Sequence, residues 1–145
     1  MDVDQALVRA HLEVLAGGDV ELEPESSPEE LFVQAKEGDY VAIQAFIDPR
    51  QEPKLQPLIE RARQETGCVV THGLGPRYLH STGQLHKGGP NTGLFLQVVD
   101  DQGEELPIPG KPFGFARLIR AQAAGDFASL KERGRRVARI RLEDI

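Results

Sequence analysis

The residues best suited to chemistry lie in one stretch, residues 73–93, with the sequence GLGPRYLHSTGQLHKGGPNTG. His80 stands out because an imidazole exchanges a proton near neutral pH with only a small push from its surroundings. Ser81 and Gln84 follow closely and can orient the imidazole or hold a hydroxylated ligand. The stretch therefore predicts a ligand site in which a histidine can move a proton.

Two cations and several glycines in the same stretch favour an anionic ligand. Arg77 and Lys87 can neutralise a phosphate or a carboxylate. Gly88 and Gly89 let the backbone come close to a ligand and present its N–H groups. Together these features suit a polyhydroxylated anion such as a sugar phosphate. Simpler interpretations stay open: a structural histidine, glycines that only form turns, and cations that are only solvated.

A metal site is a weaker hypothesis for this region. Four possible ligands lie within nineteen residues, namely Cys68, His72, His80 and His86. Their spacing matches no standard zinc pattern, such as paired CxxC or HxxxH. We therefore expect no metal here. Cys68 is the single cysteine and lies in the apolar run GCVV, which predicts a buried, inert thiol.

Hydrophobic spacing predicts alternating helices and strands around this stretch. The clearest helix start has Ser27 as N-cap, Pro28 at the first helical position and Glu30 three residues after the cap. The predicted order is helix 4–15, helix 28–38, strand 40–47, helix 52–65, strand 68–73, a short helix at 79–87, strand 93–100, a helix around 115–123, a further helix at 127–133 and strand 136–142.

This order predicts an α/β fold in which parallel strand pairs form a sheet with helices on its faces. In open α/β sheets, ligands bind outside the carboxyl ends of the strands. The stretch 73–93 begins at the carboxyl end of the predicted strand 68–73. Its position in the chain therefore favours a ligand site.

Composition and charge exclude several classes of protein. The 145 residues suffice for one domain with a real core, and 39% hydrophobic with 28% charged residues is typical of globular proteins. A net charge of −6 argues against a general nucleic-acid or anionic-membrane partner. The arginines of KERGRRVARIR (131–141) alternate as in a solvated edge strand. No stretch approaches the ~20 apolar residues of a membrane span, and the start MDVDQALVRAHLEVL lacks a secretory h-region. We expect a soluble, cytoplasmic protein.

The segment GPRYLHSTGQLHKGGPNTGLFLQ (75–97) resembles the phosphoglucose isomerase domain of bacterial transaldolase–phosphoglucose isomerase fusion proteins. The likeness extends over about 38 to 142, and the shorter His-Ser-x-Gly-Gln motif of bacterial phosphoglucose isomerases matches His80, Ser81, Gly83 and Gln84. The resemblance implies a sugar isomerase (SIS)-like subdomain, a three-layer α/β sandwich with a mainly parallel sheet. It divides the chain into an N-terminal helical segment and linker, 1–37, and the subdomain, 38–145.

The resemblance also implies a function, the interconversion of glucose 6-phosphate and fructose 6-phosphate without a metal or organic cofactor. His80 would assist ring opening and would reach the active site of a neighbouring subunit. Lys131, in GDFASLKERG, corresponds loosely to the family's late lysine, a second catalytic candidate. The ligand would be held by Arg77, Ser81, Gln84, Lys87, Gly88 and Gly89.

The chain also departs from that family. It has room for one of the two subdomains, no matching phosphate loop, and no Glu-Ser-x-Gly-Lys-like motif for the carboxylate that moves the proton between C1 and C2. Glu60 and Glu65 are the nearest glutamates before His80. We therefore expect a homo-oligomer, or a complementary isomerase or transaldolase chain, to complete the site. The alternatives are a non-catalytic sugar-phosphate-binding or regulatory module and a structural or assembly protein.

Overall fold

A computed structural model of the chain describes residues 8–9, 22–75, 90–100, 109 and 114–145, except for the side chain of Phe115. The described strands are β1 (Tyr40–Phe46), β2 (Val69–Leu74), β3 (Gly93–Val99) and β4 (Arg136–Arg141). The described helices are α1 (Pro28–Phe32), α2 (Gln56–Thr66) and α3 (Phe115–Glu132). The strands form one sheet in the order β2-β1-β3-β4, and every pair is parallel. The predicted α/β fold with a parallel sheet is confirmed.

The two central strands are the long apolar runs of the sequence. β3 is buried throughout, and β1 is buried at every position after Tyr40. A strand that is covered on both faces must be apolar on both, which explains why YVAIQAF and GLFLQVV scarcely alternate. The chain runs outward from β1 to β2 and then crosses back to β3 on the other side of β1. The carboxyl ends of β1 and β3 are therefore the point at which the strand order reverses.

Helices cover both faces of the sheet, so the molecule is a three-layer sandwich. The α2 face carries Val41, Ile43 and Ala45 of β1 and packs against α1 and α2 in the largest apolar cluster. The α3 face carries Ala42 and Phe46 of β1, which belong to two smaller clusters with α3. Burying each large aliphatic side chain of these clusters stabilises the fold by about 1.5–3 kcal/mol.

Helix α1 starts as predicted and ends earlier than predicted. The Ser27 hydroxyl accepts a hydrogen bond from the Glu30 N–H at 3.1 Å, as an N-cap does. The helix ends at Phe32 rather than at residue 38, since Val33 is 81% exposed and offers no further apolar face. The Lys36 N–H instead donates to the Asp39 carboxylate at 2.8 Å, which favours a turn over another helical residue.

The predicted helix 52–65 consists of two elements. A 3-10 helix spans Pro49–Leu55, with Asp48 as its cap and Pro53 inside it, and α2 follows at Gln56. Pro53 lacks the N–H that α-helical bonding requires, so the α-helix begins after it, whereas Pro57 is tolerated in the first turn of α2, where the N–H has no helical partner. The end is as predicted: Gly67 adopts a left-handed φ of 67° and donates to the Arg63 carbonyl at 2.9 Å.

The prediction of two helices at 115–123 and 127–133 is wrong, because α3 is continuous. Ala123, Phe127 and Leu130 lie on one side of it and are all buried. Packing of this stripe outweighs the cost of about 1 kcal/mol for Gly125 inside a helix. The helix runs antiparallel to the strands, from the carboxyl ends toward the start of β4.

Strand β4 lies at an edge, as predicted, although it is not simply solvated. Its burial pattern shows three buried residues in the middle, and Arg139 is 7% exposed. The backbones of Glu25 and Arg139 exchange two hydrogen bonds of 3.0 and 2.9 Å in an antiparallel bridge along this edge. Cys68 is half-buried rather than buried.

Part of the predicted N-terminal segment and linker, 1–37, packs on the sheet. Leu31 and Phe32 are 1% and 4% exposed and belong to the largest cluster. Val8 and Arg9 are helical, and the rest of the predicted helix 4–15 lies outside the described residues, as does the short helix predicted at 79–87. Within the described residues no helix is long and apolar enough to cross a membrane.

Candidate functional site at the carboxyl edge of the sheet

Two aspartates meet where the strand order reverses. Asp48 follows the end of β1 and Asp100 follows β3 directly. The Asp48 backbone N–H donates to Asp100 Oδ2 at 2.8 Å, and Gln51 Nε2 lies 3.4 Å from the same oxygen. The edge therefore presents carboxylate oxygens, which are acceptors for ligand hydroxyl groups.

Arg50, two residues after Asp48, holds the Asp48 carboxylate in its charged form. Its carboxylate accepts bonds from the Arg50 guanidinium, 2.6 Å from Nη2, and from the Arg50 backbone N–H at 2.9 Å. The bonds from the guanidinium, and then the backbone bond, lower the pKa of Asp48 to about 2. At neutral pH the carboxylate is ionised and cannot serve as a proton donor.

Strand β2 delivers the glycine-rich stretch to the same edge. The Gly75 N–H donates to the Ala45 carbonyl at 2.8 Å, so the chain is still beside β1 when it leaves the sheet. A Cβ at Gly75 would lie 2.5 Å from two carbons of the Phe46 ring. Phe46 is fully buried and cannot move aside, so this position requires glycine.

The start of α3 overhangs this edge. Ala123 and Ile119 pack against Phe46 and Val99, the last residues of β1 and β3. Because α3 runs antiparallel to the strands, the turn before Ile119 extends beyond the strand ends. Its N-cap, Gly114, makes no side-chain cap bond. The amino terminus of the helix thus brings its partial positive charge to the edge.

Two arginines add to this positive charge. Arg117 and Arg120 lie in the first two turns of α3, are half-buried, and no acidic residue shares the first turn. Both take part in further polar or electrostatic contacts. Guanidinium groups and helix amino termini together are favourable for phosphate.

A row of polar side chains lies beneath α3, two register positions inside the carboxyl ends of the strands. Gln44, Gln97 and Arg139 are in register on β1, β3 and β4, and are 3%, 1% and 7% exposed. Arg139 Nε donates to Gln97 Oε1 at 2.6 Å, and Gln97 Nε2 donates to the Ala123 carbonyl at 2.8 Å.

The guanidinium in this row is buried, and the contacts resolved for it are a neutral amide, a carbonyl and a ring. It lies 4.3 Å from the centre of the Phe127 ring, and Nη1 donates to the Glu23 carbonyl at 3.3 Å. Burial lowers the pKa of Arg139, and the nearby charge of Glu25 partly opposes this. A positive charge in the interior next to the strand ends adds to the field that attracts an anion.

Of the predicted site residues, the described structure contains only Lys131. Lys131 lies in the last turn of α3, at the edge of the sheet where the strands begin, and its Nζ pairs with Glu25. The structure does not bring it to the edge described above, and its catalytic role stays a prediction. The other predicted residues lie outside the described residues: Arg77, His80, Ser81, Gln84, Lys87, Gly88 and Gly89.

The two glutamates considered as bases both form ion pairs with arginines on the surface of α2. Glu60 pairs with Arg63 at 2.7 Å, and Glu65 pairs with Arg61 at 3.2 Å. Neither reaches the strand ends.

The structure argues against a metal site that uses all four of the possible ligands named above. Cys68 and His72 are four residues apart along one extended segment, or about 13 Å, which is too far for one ion. His72 Nε2 instead lies 3.7 Å from Glu52 Oε1. Among the described residues, no group of three or more possible ligands comes together.

Sequence reasoning missed the aspartates and arginines of the edge. Asp48 follows the predicted strand 40–47 directly, but this place in the chain alone does not mark it as a site residue. The signal that could have singled it out is the strand order, which places the ends of β1 and β3 side by side. Hydrophobic periodicity does not supply that order.

The described elements form a parallel α/β sandwich whose strand order reverses between β1 and β3. No protein-family model and no curated protein matches the chain. Among solved structures, the chain is similar to the crystal structure of hypothetical protein TT0462 from Thermus thermophilus, with a TM-score of 0.65 and 19% identity over 94% of this chain. At that identity the likeness supports the fold alone. The chain spans 37% of the length of that protein.

Proposed function

We propose that this chain is a sugar-phosphate-binding, SIS-like subdomain that takes part in the interconversion of glucose 6-phosphate and fructose 6-phosphate. The observation that carries the proposal is the exit of β2 beside β1, where Gly75 bonds to Ala45. The glycine-rich stretch with its isomerase-like motif thereby starts at the carboxyl edge of the sheet, one strand away from the switch point between β1 and β3. Doubly wound folds bind their ligands at this edge.

The charges at the edge fit the two ends of a sugar phosphate. The amino terminus of α3, with Arg117 and Arg120, would attract the phosphate. Asp48 and Asp100 would accept hydrogen bonds from sugar hydroxyls. His80 would move a proton between the ring oxygen and the anomeric hydroxyl, which opens the ring.

The proton transfer between C1 and C2 needs a carboxylate positioned against the carbon. Glu60 and Glu65 are held by arginines on the surface of α2. A second copy or a complementary isomerase or transaldolase chain would supply the base. We place this function in the cytoplasm.

Calorimetry combined with a coupled isomerase assay tests the proposal. We expect saturable binding of glucose 6-phosphate and fructose 6-phosphate, and binding at least tenfold weaker for unphosphorylated glucose and fructose. Arg117→Ala should weaken binding by about tenfold, because a charge-assisted bond contributes about 1.5 kcal/mol. Absence of binding by either sugar phosphate would contradict the proposal.

Two variants separate catalysis from binding. His80→Ala should retain the binding of the open-chain analogue 5-phosphoarabinonate and lose any turnover of the closed-ring substrate. Lys131→Ala is the comparison, since Lys131 pairs with Glu25 at the far edge. A loss of turnover in Lys131→Ala with unchanged binding would support the catalytic role predicted from the resemblance.

A non-catalytic binding module is the second candidate. It is favoured by one observation, namely that both glutamates near the motif are paired with arginines. Saturable binding without turnover, at any protein concentration and in the absence of other chains, would select this function.

A further inference from the structure

The two edges of the sheet are protected to different degrees. β4 carries three arginines, and the backbone of Glu25 bonds to Arg139 along its outer side. β2, with the sequence VVTHGL, has no charged residue of fixed sign and no proline. No described residue pairs with its outer side. Natural edge strands that remain free normally carry lysine, proline or a bulge, because a bare edge pairs with another chain.

The backbone groups available on β2 follow from the alternation of the strand. Gly75 donates toward β1, so Gly73 and Thr71 also turn their N–H and C=O groups toward β1. The N–H and C=O groups of Val70, His72 and Leu74 then point away from the sheet. Exposure agrees with an open edge: Val69 is 72% exposed, and Thr71 and His72 are also exposed.

We propose that β2 pairs with β2 of a second copy of this chain, antiparallel and centred on Thr71. In that register Val70 of one copy lies opposite His72 of the other and exchanges two hydrogen bonds with it. The two-fold axis repeats the exchange, so four backbone bonds join the copies. Thr71 lies opposite Thr71 of the second copy, where Cα atoms in a non-bonded pair are about 4.5 Å apart.

The absence of residues of fixed charge on β2 favours a second copy of this chain as its pairing partner. Two β2 strands meet without any pair of like charges of fixed sign, since the strand has none. Two β4 strands would bring rows of arginines together and would displace Glu25. The self-complementary, uncharged edge is therefore the one that suits pairing between identical chains.

The carboxyl edges stay free in this dimer. An antiparallel β2 pair directs the two carboxyl edges in opposite directions, so neither covers the other. This dimer is therefore a different contact from the one that would supply the missing base, and it can fail or hold independently of the proposed sugar-phosphate site.

Sedimentation velocity over a concentration series tests the dimer with charge variants at its axis. Wild-type protein should be dimeric. Thr71→Lys and Thr71→Glu should each weaken self-association by more than about tenfold, because like charges would face each other across the axis. An equimolar mixture of the two variants should restore the dimer, since unlike charges then meet.

Two further variants keep the test decisive. Val33→Lys adds the same charge as Thr71→Lys at an exposed residue outside β2, and this variant should remain dimeric. His72→Pro removes an outward N–H without touching the bonds to β1, and it should give a folded monomer with little change in thermal unfolding. A monomeric wild type, or a dimer that persists in Thr71→Lys, Thr71→Glu and His72→Pro, would overturn the proposal.

Discussion

The two faces of the sheet differ in the polarity of the side chains that they bury. On the α2 face, the side chains of β1 and β3 are all aliphatic, and β4 adds Ala138 and Ile140 after Arg136 at its start. On the α3 face, the same strands place Gln44, Gln97 and Arg139 in one register row between apolar residues. The α2 face stabilises the fold by burying apolar side chains. The α3 face also buries polar groups that an apolar core would not need.

The position of the polar row suggests why it is there. It lies two register positions inside the carboxyl ends of the strands, beneath the middle of α3, where Gln97 bonds to Ala123 and Arg139 lies over Phe127. A buried guanidinium at this place adds to the positive field on the side of the sheet where the proposed ligand would carry its phosphate. The largest apolar cluster thus lies on the α2 side of the sheet, whereas the buried polar row lies on the α3 side.

Leu96→Ala should give the largest effect, since it removes a fully buried side chain from the α2 face. We expect the free energy of unfolding to fall by about 2–5 kcal/mol. Urea denaturation followed by circular dichroism measures this, with an unchanged m-value as a check on two-state behaviour. A loss below about 1 kcal/mol would mean that this face is less tightly packed than the structure indicates.

Gln97→Leu probes the neighbouring residue on the opposite face. It deprives Arg139 Nε and the Ala123 carbonyl of a partner, and we expect a loss of about 1–3 kcal/mol. Arg139→Met should cost a similar amount. The double variant should recover to within about 1 kcal/mol of wild type, because both polar partners are then gone. Additive losses in the double variant would show that the polar row stabilises the fold in its own right.

Gly75→Ala tests the exit of β2. The added Cβ would collide with the buried Phe46 ring, and we expect a loss of about 1–3 kcal/mol. Phe46→Leu in the same chain should relieve part of this loss, since it removes the ring. Strictly additive effects in thermal unfolding would argue against the close approach of Gly75 to β1.

Asp48→Asn should have the smallest effect, and one that depends on pH. Its lowered pKa means that the charged pair with Arg50 contributes stability above about pH 3.8, and that this contribution is lost as pH falls through about 2. The melting temperatures of wild type and variant should therefore differ slightly at pH 5 and converge near pH 2. A difference that widens toward low pH would contradict the pairing.

Much of this architecture is predictable because apolar runs determine it. The strands at 40–47 and 93–100 are predominantly apolar segments with one glutamine inside each, and each is observed within one residue of its predicted end. The continuity of α3 was missed because Gly125 and Asp126 weaken the local helix signal, whereas burial against the sheet depends on residues far away in the chain. Helix α1 was predicted too long for the same reason, as only tertiary packing shows that Val33 finds no partner.

The candidate site was predictable only in part. The chemistry of His80 and its neighbours is visible in the residue types, and so is their place after a strand. Asp48 and Asp100 are 52 residues apart and meet only through the strand order. The buried environment of Arg139 likewise depends on α3, so its alternation with apolar residues predicted a solvated edge instead.

The most direct test of the central claim, that a sugar phosphate binds at the carboxyl edge, is an NMR titration of the ¹⁵N-labelled protein with fructose 6-phosphate. We predict that the amide signals of Asp48, Gly75, Asp100 and Arg117 shift in fast or intermediate exchange with a common dissociation constant. Thr92 and Gly134, at the opposite edge, should be unaffected. Shifts confined to that opposite edge, or no shifts at saturating ligand, would contradict the account.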